Sequence, residues 1–263
     1  MVHSPLAAFT ILFALAAATL PAQDDPPPVD PALPERLKEL KKLLGDRKME
    51  QDFQAIGLIQ NLAKDLDQRH PKDLDRLAKG IGDVFSTGKV REGAADILYR
   101  EAADVLAKLG EDGAKELERA CNHKRFKDNV ALRAHLMIAT GKTGDDKQIK
   151  WLLETTTRDP HDELIAASGE ALGYFTNADL KDKREIVKDI IRYWGSLNQR
   201  ATTADPVDPN APINFGPQNA RQTLRAAEGK WVNTLQKLTG VSQRGFSEWQ
   251  HWLNKNPNWE PPQ

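Results

Sequence analysis

Three short stretches of the chain hold residue types that could do chemistry. Cys121-Asn122-His123 puts a thiol close in sequence to an imidazole, the two groups an activated cysteine nucleophile needs. Side chains one or two apart on a helix do not face each other, so this pair is not expected to meet. Cys121 follows Ala120 at the end of a helical run, where a small and mostly inert residue is the better reading. It is the single cysteine, so no internal disulfide can form and stability must come from packing. His161-Asp162-Glu163 offers three metal-ligating types in a row. It falls in the first turn of an expected helix, where acids are favoured by the helix dipole, so helix capping is the stronger reading. His135 lies in an amphipathic run and reads as a satisfied side chain. Lys124-Arg125-Phe126-Lys127 is basic with an aromatic inside it, but Glu111, Asp112, Glu116 and Glu118 lie just upstream and neutralise it. A solvated turn between helices is expected there. The mixed charges of Lys181-Asp182-Lys183-Arg184-Glu185 describe a wet helix face. HExxH, GxSxG, Walker and GxGxxG patterns do not occur. The reading therefore assigns no catalytic residue, no cofactor-binding residue and no metal ligand.

Composition narrows the classes further. The 263 residues suffice for one extended repeat domain or two small ones. Basic residues number 37 and acidic ones 38, so no charge imbalance pulls the whole chain toward nucleic acid or anionic membrane. Charged residues at 29% beside hydrophobic ones at 40% suit a helical protein with large solvated faces. Trp is used six times, and Trp231, Trp249, Trp252 and Trp259 all lie in the last part of the chain.

The N-terminus reads as a signal peptide over residues 1–22. Pro5 to Leu20 is an apolar run, no charged side chain precedes Asp24, and Leu20-Pro21-Ala22-Gln23 offers a cleavage site after Ala22. The run is short for a membrane span, which takes about 20 residues. An uncleaved N-terminal anchor is the alternative. Either way the expected compartment is the periplasm or the extracellular space. Residues 23–34 are proline-rich and acidic and are expected to be a linker. Residues 35–263 form the remaining domain.

That domain reads as helical throughout. Ala94, Leu98, Ala102, Val105, Leu106 and Leu109 recur at helical intervals. So do Leu164, Ser168, Ala171, Leu172 and Phe175, then Val187, Ile190, Ile191 and Trp194, and earlier Ile59, Leu62, Ala63 and Leu66. Each stripe must be buried against a neighbour. Asp159-Pro160 and Pro71 read as helix starts. Gly110, Gly141, Gly173 and Gly240 read as left-handed helix ends. Alanines 107, 139 and 171 each precede such a glycine and lie 32 residues apart. Each is followed by a polar turn and a second helix: Ala114–Cys121, Gln148–Thr155 and Arg184–Trp194. A helix–glycine turn–helix unit cannot bury its own stripe, so units must stack.

In Glu170–Ile191 (EALGYFTNADLKDKREIVKDII), Ala-Leu-Gly closes one helix and an apolar helix follows, and this resembles the HEAT-repeat family over about residues 50–240. The repeat is shorter than the family's period of about 40, so armadillo-like and other helical-pair repeats stay open. The tail, Leu238-Thr239-Gly240 followed by Phe246, Trp249, Trp252 and Asn256, resembles the C-terminal cap of secreted bacterial HEAT-repeat proteins. Ser247 and Gln250 are expected to form a capping box. Trp249, Trp252 and Leu253 would then share a face that plugs the last repeat; an aromatic platform for carbohydrate is the alternative.

The resemblance implies an all-α right-handed superhelix that is a non-catalytic, monomeric protein-binding scaffold. Its expected contact surface is the polar positions of the Lys147–Thr156 and Arg184–Trp194 helices. Its partner is an unidentified protein, with no nucleic acid and no stable membrane insertion after signal cleavage. Residues 198–217, polar and proline-rich, read either as a specific contact or as a tolerated insertion. Two further readings stand: an enzyme on a HEAT-like scaffold, built from Trp194, Trp231, Arg192 and Asp189, or a structural envelope component.

Overall fold

The structure is a computed structural model and describes residues 27–203 and 215–261. The expected signal peptide and most of the 198–217 segment lie outside the described residues. Within them the chain is all-helical, without strands. Eleven helices follow in order: α1 (Leu33–Leu44), α2 (Asp52–Leu62), α3 (Pro71–Gly82), α4 (Ile97–Leu106), α5 (Gly110–Cys121), α6 (Val130–Lys142), α7 (Ile149–Arg158), α8 (Asp162–Ala171), α9 (Leu180–Ala201), α10 (Gly216–Thr239) and α11 (Phe246–Lys255).

The helices touch in a regular order. α1, α3 and α5 follow one another along one side, as do α7, α9 and α11; α2, α4, α6, α8 and α10 follow one another along the other. The rungs between the two rows are α1–α2, α3–α4, α4–α5, α5–α6, α7–α8 and α9–α10. All substantial helix–helix contacts among the described residues join helices adjacent or next but one in the chain. The stripes read from the sequence fill the space between rows. Ile186, Val187, Ile190, Ile191, Trp194 and Leu197 of α9 are all buried, as are Leu164, Ala167, Ser168 and Ala171 of α8.

Helix ends differ from the sequence reading in instructive ways. Pro71 does open α3, and the His70 imidazole Nδ1 accepts from the Lys72 N–H at 3.0 Å. Asp159-Pro160 does not open α8. Asp159 ends α7, its carboxylate accepts from the His161 N–H at 2.9 Å, and the helix starts two residues later than proline alone suggests. Leu33 and Pro34 belong to α1 rather than to a linker, because Leu33 is buried and proline in a first turn costs no hydrogen bond. The supposed linker is anchored as well: the Asp30 N–H donates to the buried Asp73 carboxylate at 2.7 Å. α2 stops at Leu62, before Leu66, where Asp65 takes a left-handed φ of 55°. α9 runs on to Ala201 and α10 begins at Gly216, so the break between them is shorter than 198–217.

The glycines divide into two kinds. Gly240 ends α10 with φ 71°, and Gly110 has φ 55° at the turn from α4 into α5. Gly141 and Gly173 are not left-handed ends. Gly141 lies inside α6, where a Cβ would sit 2.8 Å from the Ala171 Cα of α8. Gly173 faces Thr234 of α10, with a Cβ 2.7 Å from its hydroxyl. Both let neighbouring helices of one row approach closely, and that requirement looks the same in sequence as a helix end.

Candidate functional site

Charged side chains open to solvent line two grooves along α9. Its 22 residues read LKDKREIVKDIIRYWGSLNQRA. With one face given to the core, the periodicity that buries Val187, Ile190 and Trp194 puts Lys181, Glu185, Lys188 and Arg192 on the solvent side. A groove of about 950 Å³ runs between this face and the C-terminal segment, whose wall is Leu253, Asn254, Pro257 and Trp259. A second groove, about 360 Å³, lies on the other flank between α9 and α7, lined there by Lys150, Leu153, Glu154, Thr157 and Arg158. Glu185, Asp189 and Arg192 border both, so α9 is a charged ridge between two channels.

The first channel has a built wall. Arg184 donates through Nε to the Trp259 carbonyl at 2.9 Å and through Nη2 to the carbonyls of Asn258 and Trp259 at 2.7 and 2.8 Å. These acceptors carry no formal charge, so the guanidinium is fixed in place without a carboxylate to balance it. Trp259 is buried, its ring 5.8 Å from that of Trp252, which stands edge-on to buried Trp249 at 5.5 Å. Phe246 anchors the other end of α11, 5.7 Å from the Trp194 ring and against the bare Gly195 of α9. The capping box expected from Ser247 and Gln250 does not form. Gly245 precedes the helix, and the Glu248 carboxylate, one residue further on than Ser247, accepts from the Arg244 N–H at 2.9 Å.

The other sequence candidates separate. Cys121 is buried, its Sγ 3.7 Å from the Arg133 carbonyl, and burial pushes its thiol up to about 11. The His123 imidazole is turned to the Arg125 N–H, which donates to its Nδ1 at 3.2 Å. Desolvation, then Arg125 and Lys124, lower its proton affinity. The basic cluster is a clasp: Arg125 donates to the carbonyls of Phe85 and Gly88 at 3.2 and 2.8 Å, and Phe126 packs 5.0 Å from Tyr99. His161 lies 2.9 Å from Asp159, whereas Asp162 accepts from Thr223 of α10 and Glu163 is exposed, so the three do not converge. No group of three His, Cys, Asp or Glu among the described residues is arranged to hold a metal ion. His135 Nε2 lies 3.2 Å from Asp104. Trp194 and Trp231 pack in the core with tilted rings 6.1 Å apart, whereas Arg192 and Asp189 pair with each other at the surface, so these four share no cavity.

Two features escaped sequence reading. Arg91 is completely buried and grips Asp52 of α2 with two bonds of 2.7 Å, Nε to Oδ2 and Nη2 to Oδ1. Its Nη1 donates to the Lys89 carbonyl at 2.9 Å, and its own N–H donates to the Tyr99 hydroxyl at 3.3 Å. Gly88, with φ 72°, makes the turn possible, because a Cβ there would collide with the Leu44 carbonyl. The Arg184 clasp is the other. Nothing local in the sequence marks either, since their partners lie 39 and about 75 residues away.

Compared with family models, curated proteins and solved structures, the chain matches none.

Proposed function

We propose that this chain is a solenoid of HEAT-like helical pairs that acts as a non-catalytic protein-binding scaffold after export to the periplasm or the extracellular space. The observation that carries the reading is the contact pattern: among the described residues, substantial helix–helix contacts join only neighbours or next-but-one neighbours in the chain, and this supports stacked repeat pairs. Such a stack leaves the polar side of a row free over its whole length. On α7 and α9 that side is not flat but cut by two grooves, at the very helices whose polar positions the sequence reading singles out. α11, with Trp249, Trp252 and Leu253, closes the C-terminal end of the stack. No described helix is long and apolar enough to cross a membrane.

Affinity capture from the native envelope fraction tests the reading, with the full chain as bait beside a variant carrying Lys150→Glu and Arg192→Glu. A specific protein retained by the first bait and lost from the second is expected. Retention of nothing specific, or equal retention by both baits, overturns it.

A further inference from the structure

We propose that the groove between α9 and the C-terminal segment takes an extended, acidic stretch of a partner protein, with an apolar side chain seated on Leu253 and Pro257. The inference rests on the scaffold reading and adds the chemistry of the partner.

Charge is the first ground. Lys181, Arg184, Lys188 and Arg192 border this groove against only Glu185 and Asp189, in a chain whose overall balance is slightly negative. Asp189 is taken by Arg192. Lys181 and Lys188 enter no ion pair among the described residues, and the Arg184 charge is held by carbonyls rather than by a carboxylate. The surplus is therefore positive, and one of its members is already fixed, which lowers the ordering cost of binding. The opposite channel has no such surplus, because Lys150, Arg158 and Arg192 face Glu154, Glu185 and Asp189.

Shape is the second. The groove follows α9 from Lys181 to Arg192, which at 1.5 Å per residue is about 16 Å, the span of roughly five residues of extended chain. One wall is charged and the other apolar, which suits alternating side chains of an extended strand. A nucleic acid fits less well. Glu185 and Asp189 interrupt any path for a continuous polyanion, and the sole aromatic bordering the groove, Trp259, is 6% exposed and has no face to stack a base on.

The test is fluorescence anisotropy with the full chain and labelled peptides of about five residues, one alternating Glu with Leu, one alternating Lys with Leu, and one alternating Ser with Leu. A single-stranded oligonucleotide and vesicles of anionic phospholipid serve as rival anions. The Glu peptide should bind best, bind more weakly as salt is raised, and lose about tenfold in affinity with Lys181→Glu plus Lys188→Glu. The milder pair Lys181→Gln plus Lys188→Gln should lose less, and Lys48→Glu plus Lys127→Glu nothing, with circular dichroism unchanged throughout. Equal binding by the Lys181/Lys188 variants, equal binding of the Lys peptide, tighter binding of the oligonucleotide or vesicle, or no peptide binding at all overturns the proposal. If captured partner is meanwhile still lost with Lys150→Glu plus Arg192→Glu, the scaffold reading survives and only the acidic-segment proposal falls.

Discussion

Replacing Arg91 by Met should be among the most damaging single changes in the chain. The guanidinium is fully buried and the Asp52 side chain is only 13% exposed. Removing the cation strands the carboxylate, along with the Lys89 carbonyl that Nη1 satisfies. Breaking a buried pair from one side typically costs about 3–5 kcal/mol, because the surviving charge keeps its desolvation penalty. For a chain of this size, each kcal/mol shifts the melting temperature by about 2–4 °C, so a fall of roughly 6–20 °C is expected. Arg91→Lys should also destabilise, since an ammonium cannot form the two-pronged contact. The deciding variant is Arg91→Met with Asp52→Leu. It removes both charges, and buried pairs replaced by apolar groups are often neutral in stability, so it should recover most of the loss. Thermal unfolding followed by circular dichroism measures all three. A single Arg91→Met variant melting within about 2 °C of the parent, or a double variant no better than the single, would refute the reasoning.

Three further outcomes follow from the structure. Glu116 is held protonated more readily than an ordinary carboxyl, first by burial, against the pull of Arg119. A raised acid favours the folded state below its unfolded pKa and loses that contribution as pH rises, so Glu116→Gln should raise the melting temperature at pH 7 and change it little in acid; a lower melting temperature at pH 7 contradicts this. Glu111 behaves oppositely, lowered to about 2 by Lys147 and then Lys115. Its contribution should be present above the ordinary carboxyl range, fade as pH falls toward 2 and shrink in salt, as a pH series of melts on Glu111→Gln against the parent will show. Cys121 should react with iodoacetamide only after unfolding in urea, and labelling at the native rate of a free thiol would contradict its burial.

The sequence shows helices and their buried stripes well, because both depend on spacing within one element. Val187, Ile190, Ile191 and Trp194 all face the core as their spacing requires. The polar positions of α7 and α9, expected from the sequence to form a contact surface, border two grooves. What the sequence hides depends on a second element. Gly141 and Gly173 look like helix ends until α8 and α10 are seen pressing on them. Ser247 does not cap its helix, because Gly245 stands at the helix start and Ser247 already lies in the first turn. One side of the groove along α9 is held by Arg184 gripping carbonyls near the far end of the chain, a pairing no local pattern announces.

If the helices pile up as repeat pairs, stability is local, with each helix held by its immediate neighbours. Hydrogen exchange read by mass spectrometry on Gly141→Val tests this directly, since the new side chain must push against the Ala171 backbone where α6 meets α8. Overpacking of this kind costs about 1–3 kcal/mol. Faster exchange in α6 and α8, with α1 and α2 at their parental rates, is the predicted result. Faster exchange to the same degree in every helix from α1 to α11 would contradict it.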